Sequence, residues 1–184
     1  MEKHMLYLKI LFQSVVGLLF LTLLTGIVYP LAVFGFAQAI FPYQSNGSLI
    51  IDRSGGVLGS QLIGRRYESA GYLKGRPSAS EYAAGAASNL GPMDRRLKDR
   101  EQSDDRQPVL LRFSSGSGLD PHISGDAARF QFDRILSERN MKEDQRASLE
   151  QILAKCGETR SLFRADKVNV FCFNRLLDEK TSDR

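Results

Sequence analysis

ILFQSVVGLLFLTLLTGIVYPLAVFGFAQAIF, residues Ile10 to Phe41, is the stretch whose reading decides the fold. No Asp, Glu, Lys or Arg occurs between Lys9 and Asp52. A helix rises ~1.5 Å per residue and needs about 20 apolar residues to cross the ~30 Å hydrocarbon layer, so this run spans with a turn or more to spare. Lys3 and Lys9 before it and Ala37-Gln38-Ala39 near its end also fit a cleaved signal peptide. The apolar part before Ala37 is well beyond the roughly 7–15 residues of a signal h-region, which favours an uncleaved anchor. Lysines flanking a span stay in the cytoplasm, so the chain after it is expected to be exported.

The residues 1–9 are expected to be a cytoplasmic tail that serves orientation alone. Gln13, Ser14, Gly17, Thr22, Thr25 and Gly26 set small or polar groups on the span, as at faces where membrane helices pack, though single spans also carry such residues. Pro30 removes a backbone donor and disfavours helix at Tyr29, which predicts a kink or an end there, with residues 31–40 a kinked continuation or an interfacial helix. Tyr29, Phe34, Phe36, Phe41 and Tyr43 suit the headgroup layer, and Pro42 ends the segment.

About 140 residues remain, a common size for one domain. A formal charge of +4 for the chain is too small to argue for nucleic acid. The mixed charges of Asp94 to Arg106 read as a solvated helical face and then a loop. Cys156 and Cys172 match no short metal-ligand spacing; they read as two small buried thiols, with pairing in an oxidising compartment as the alternative.

Leu49-Ile50-Ile51 and Val57 to Ile63, joined by a Gly-rich turn, predict a β-hairpin, with Gly59 and Gly64 marking a bulge or close backbone approach. Tyr67 to Met93 reads as a long ordered surface loop and, with its tyrosines, glycines and Ser88-Asn89-Leu90-Gly91-Pro92, as a recognition surface. Val109 to Phe113 reads as a strand. Ser124 is the expected N-cap of a helix bearing Ala128, Phe132, Ile135 and Leu136 on one face. A second helix, Met141 to Cys156, buries Leu149, Ile152, Leu153 and Cys156 and stops at Gly157. Val168 to Asn174 alternates as a last strand. The fold class is therefore a single N-terminal transmembrane helix over residues 10–41 followed by a mixed α+β extracytoplasmic domain, residues 42–184.

Chemistry is sought in Ser114 to Ser124, where Ser115, Ser117, Asp120 and His122 resemble triad components by type. A hydrolase elbow reads G-x-S-x-G, whereas Ser117 sits in G-S-G, so a membrane-tethered serine hydrolase using Ser115 or Ser117 with His122 is the lesser reading. Neither GxGxxG nor GxxxxGK is present, and Asp120 with His122 makes no metal set alone. A turn shaped by Asp120, Pro121 and Ser124 explains the same residues, and Gly91 and Gly118 read as conformational.

The runs Gly59-Ser60-Gln61-Leu62-Ile63-Gly64, Gly75-Arg76-Pro77-Ser78-Ala79, Ser88 to Pro92 and Ser115 to Ser124, then Val168-Asn169-Val170, resemble in order the C subunit of the Kdp potassium-transporting P-type ATPase. The resemblance covers nearly the whole chain. It implies an accessory, non-catalytic subunit of an inner-membrane complex for high-affinity potassium uptake, with a periplasmic domain. The implied partners are a channel-like A subunit that carries potassium, an ATP-hydrolysing B subunit and a very small F subunit. No catalytic, cofactor or metal residue is expected on this chain; ATP, magnesium and potassium belong to the complex. The candidate interface residues are Gln61, Arg76, Ser78, Ser88, Asn89, Gly91, Ser117, Gly118, Asp120, His122 and Ser124. Two departures stand out. Ala86-Ala87 replaces glycines common before SNLGP, and Gly125 stands where relatives often carry proline, which puts the helix start in question.

Overall fold

The computed structural model describes residues 2–52, 54–102, 106–158 and 166–182. The chain divides into two compact units, Met1–Leu49 and Ile50–Arg184.

The first unit is dominated by helix. α1 (Glu2–Leu23) runs through one wide π-helical turn, Leu24–Val28, into α2 (Tyr29–Ile40). Pro30 neither ends nor sharply interrupts it. The wide turn lets Tyr29 N–H bond Leu24 O, which makes room where the proline ring and its missing donor would otherwise disrupt the ladder. The apolar helical stretch covers Lys3–Ile40, 38 residues. At ~1.5 Å per residue that is about 57 Å, nearly twice the ~30 Å hydrocarbon layer. Lys3 and Lys9 thus lie on the helix itself rather than on a separate tail. Phe41, at φ −130°, breaks it, and a single turn, α3 (Pro42–Ser45), follows. The carboxamides of Gln38 and Asn46 bond each other at 3.1 and 3.3 Å across that break.

The expected hairpin forms from β1 (Leu49–Ile51) and β2 (Val57–Ser60), the second strand ending three residues short of the expected Ile63. Its turn is closed by Asp52 N–H on Gly56 O at 2.7 Å. From residue 61 to 94 the chain forms no helix or strand, as its glycines and prolines foretell. The charged stretch becomes α4 (Arg95–Gln102). Residues 103–105 of the loop expected after it lie outside the described residues.

Val109 to Phe113 is one helical turn, α5 (Val109–Arg112), and not a strand. Four apolar residues are too few to distinguish the two by period, and Phe113 N–H closes back on Val109 O at 3.2 Å. β3 (His122–Ser124) leads into α6 (Gly125–Arg129), where Ser124 Oγ accepts from Ala127 N–H at 3.2 Å as the expected cap. The helix breaks at Phe130-Gln131 and resumes as α7 (Phe132–Glu138). α8 (Arg146–Cys156) starts later than the expected Met141, after a tight 3-10 turn at Glu143–Gln145, and carries the expected buried face, Leu149, Ile152, Leu153 and Cys156. Gly157 ends it in extended geometry at φ −74°, not as a left-handed stop, and starts β4 (Gly157–Glu158).

The last strand is shorter than alternation suggests. β5 (Lys167–Asn169) gives way at Val170 to α9 (Val170–Ser182), because the Asn169 carboxamide accepts Cys172 N–H at 3.0 Å and caps a new helix. The sheet order is β3-β5-β4, antiparallel, with Ile123 opposite Val168. Helices cover it through Phe132, Ile135, Leu149, Ile152, Phe173 and Leu177, all essentially buried; Phe132 and Phe173 stack at 6.0 Å.

The capped helix also corrects the reading of the cysteines. Cys172 sits in the first turn of α9 beside the last residue of α8, and the two are joined as a Cys156–Cys172 disulfide, Cα atoms 5.7 Å apart. Placing Cys172 in a strand had hidden that proximity.

Candidate functional site

The runs picked out by sequence converge on one another. Gly64 N–H donates to Leu119 O at 2.8 Å, and a Cβ at Gly64 would lie 2.9 Å from Asp120 O. This is the close backbone approach that a glycine permits. Gly118 adopts φ +69°, and a Cβ there would fall 2.4 Å from Ala86 O and 3.4 Å from Ser78 Oγ. The Ser114–Ser124 loop therefore lies between residues near Gly64 on one side and the loop 75–86 on the other.

Arg76 and Asp120 fasten the contact. The Arg76 guanidinium donates to Ser114 O at 3.0 Å and Phe113 O at 3.4 Å, and faces Asp120 Oδ2 at 3.5 Å. A rigid fork with five N–H groups suits that bridging of two carbonyls and a carboxylate. Asp120 Oδ1 accepts His122 N–H at 3.0 Å, an Asx turn through Pro121, and lies 3.4 Å from His122 Nδ1. Ser117 Oγ accepts Leu119 N–H at 3.2 Å and Ser115 Oγ accepts Asp120 N–H at 3.4 Å. Both hydroxyls proposed as nucleophiles thus shape the turn. Ser78 Oγ accepts Tyr82 N–H at 3.0 Å, while the Tyr82 hydroxyl donates to Arg76 O.

Of the expected residues, Arg76, Ser78, Gly118, Asp120 and His122 belong to this one body, with Ser124 at its exit as a helix cap. Gln61 joins through its main chain, whose carbonyl accepts from Asn169 Nδ2 at 2.8 Å. Ser88, Asn89 and Gly91 are not drawn in: among the described residues Ser88 and Asn89 make no hydrogen bond. Nor is Gly91 conformational. Its φ is not positive and a Cβ there meets nothing within 4 Å; the left-handed residue of that run is Asn89, at φ 51°.

Other side chains that hold the site escape a search for chemistry. Asn174 on α9 binds both polar atoms of buried Leu73, accepting its N–H at 2.8 Å and donating to its carbonyl at 2.9 Å. Gln131 does the same for Lys74, at 2.9 and 3.0 Å. Arg134 on α7 donates to Ala70 O and Tyr72 O, and Arg139 to Gly71 O at 2.8 Å. Burial raises the Tyr67 hydroxyl above its ordinary range, opposed by a hydrogen bond with Asn174, and burial likewise raises Tyr82. Asn174 carries a signal after all: with Val170, Phe173 and Leu177 it lies on the buried stripe of α9, where a polar residue must find partners.

Known proteins match this chain along its length. The family model described as "K+-transporting ATPase, c chain" matches residues 11–179. A potassium-transporting ATPase KdpC subunit from Leptospira interrogans is 36% identical over 186 residues, covering 96% of this chain and 97% of that protein. The corresponding subunit of Synechocystis is 41% identical, covering 87% and 93%, and that of Pseudomonas aeruginosa 39% identical, covering 92% and 96%.

Proposed function

The chain belongs to the KdpC family, the c chain of K+-transporting ATPases, and from that premise we propose that it is the accessory, non-catalytic subunit of an ATP-driven potassium uptake complex. The observation that carries this reading is the family match over residues 11–179, which takes in both the apolar helix and the motif loops. In this reading the helix anchors the chain in the inner membrane with its N-terminus cytoplasmic, and the rest of the chain is periplasmic. Lys3 and Lys9 support that orientation, and so does the Cys156–Cys172 disulfide, since such bonds persist in oxidising compartments.

The partners are a channel-like potassium-carrying subunit, an ATP-hydrolysing subunit and a small third one, and ATP, magnesium and potassium act on those. The small and polar residues of the span, Gln13 to Gly26, pack on a partner helix, while exposed Asn89, Gly91 and Ser117 meet the potassium-carrying subunit. Anchoring raises the effective concentration of those loops at that surface. The test is co-purification from membranes in mild detergent with a tag on this chain. Recovery of the other subunits with potassium-dependent ATPase activity is expected, lowered severalfold by Asp120→Ala. Recovery of the chain alone, under conditions that keep other complexes intact, overturns the proposal.

A further inference from the structure

The hairpin and the residues just after it leave an aliphatic patch uncovered. Ile51 and Val57 are 61% and 62% exposed, and Leu58, Leu62 and Ile63 are exposed as well. β1 and β2 form a sheet of two strands only, and an isolated two-stranded ribbon is marginal in water unless something covers it. The patch is nevertheless held in place by the rest of the second unit. A Cβ on Gly59 would lie 3.1 Å from the Phe171 ring, Asn169 Nδ2 donates to Gln61 O at 2.8 Å, and Gly64 N–H donates to Leu119 O at 2.8 Å.

Chain length limits what the patch can reach. At ~1.5 Å per residue the uncharged helix from Ile10 to Ile40 is about 46 Å long, close to the ~40–45 Å of a bilayer with both headgroup layers. Exposed Phe41 and Tyr43 follow it and suit the headgroup layer at that end. Only Asn46, Gly47 and Ser48 separate α3 from β1, a reach of roughly 14 Å at ~3.5 Å per residue. Between Lys9 and Arg65 the only charged residues are Asp52 and Arg53, so apolar character runs on from the helix into the hairpin. The residue types also separate lipid from protein as the cover. Protein interfaces draw their binding energy from Trp, Tyr and Arg more than from Leu and Val, whereas this patch is aliphatic throughout.

We propose that this patch seats in the lipid headgroup layer at the end of the helix, as a second membrane contact of the chain. The proposal rests on the reading of the helix as a membrane span. Entry is shallow, because open sheet edges do not occur in the hydrocarbon layer and the charges of Asp52 and Arg53 belong with headgroups and water. The aliphatic side chains alone enter, to the ~5–10 Å that interfacial apolar faces reach. Burial of apolar area drives the seating, so a neutral bilayer suffices and salt does not weaken it. The contact sets the height at which the motif loops are presented above the membrane.

The chain has no tryptophan, so one introduced at the patch reports on its own surroundings. Val57→Trp and, separately, Ile51→Trp are placed in the full chain in phosphatidylcholine nanodiscs, with lipids brominated near the headgroup or near the chain end. Both positions are exposed, so both variants keep the parent's melting temperature. Their emission is expected to be quenched, more strongly by the shallow bromines and equally at low and high salt. Adding Val57→Asp to Ile51→Trp is expected to lower that quenching severalfold. Quenching at exposed Met93→Trp as strong as at Val57→Trp overturns the proposal, since the seat would not be specific to the patch. A blue-shifted but unquenched signal means that a second copy covers the patch, and quenching lost in the co-purified complex means that a partner subunit does; either overturns lipid seating. Phe20→Trp tests the helix by itself. Quenching there with none at Ile51→Trp or Val57→Trp overturns the seat and leaves the span standing, whereas no quenching at Phe20→Trp overturns the span and the seat with it.

Discussion

Residues 61–94 and the described residues of 122–182 are ordered by opposite means. The second segment satisfies its backbone within itself, through a three-stranded sheet and the ladders of α6 to α9. The first has no such ladder, and its backbone polar groups bond to side chains of the second: Arg134, Arg139, Asn174 and Gln131 take Ala70 through Lys74 one residue after another. Buried backbone groups must be paired, so the loop's shape is delegated to residues about 60 to 100 positions away. An apparently irregular loop can thus be as specified as a strand, with the specification written elsewhere.

Asn174→Ala is the strongest way to break this comparison. It leaves the N–H and the carbonyl of fully buried Leu73 without partners, and each such group costs about 1–3 kcal/mol, so a loss of about 4 kcal/mol is expected. Urea unfolding of the full chain in micelles measures it. A loss under about 1 kcal/mol, as at an ordinary surface site, would mean that the loop is not held this way.

The delegation also explains what was legible in the sequence. Several roles set by nearby residues could be read: the apolar run of the long helix, the Ser124 cap, and the buried face Leu149, Ile152, Leu153 and Cys156. Reading failed where a distant or competing contact decided. Asn169 reads as one more strand residue until its carboxamide caps α9, and that shift turned Cys172 toward Cys156. Gln131 and Asn174 have no motif, and their partners are 57 and 101 residues away.

Gly118→Ala tests the join between the two motif loops. The φ of +69° costs an L residue about 1–2 kcal/mol, and the new methyl would press on Ala86 O from 2.4 Å, adding about 1–3 for overpacking. About 3 kcal/mol of destabilisation is expected by the same unfolding measurement, together with faster proteolysis within residues 75–92. Destabilisation without that local cleavage would show that the glycine matters to its own turn and not to the neighbouring loop.

Gly91→Ala is the same substitution in the other glycine-bearing motif, and it should do almost nothing to stability. Its backbone is not left-handed and open space surrounds the position, so a change within about 0.5 kcal/mol is expected. That neutrality makes it informative. Where Gly118→Ala would disturb assembly through the fold, Gly91→Ala can act only at the surface of the run Ser88 to Pro92. A variant that unfolds like the parent yet recovers less of the partner subunits in co-purification would identify that run as a contact, because a methyl group tolerated by the free chain would be excluded by the bound one. Full recovery of partners by an equally stable Gly91→Ala chain would remove close backbone packing at Gly91 from the proposed interface and leave Asn89 and Ser117 as the loop positions to test.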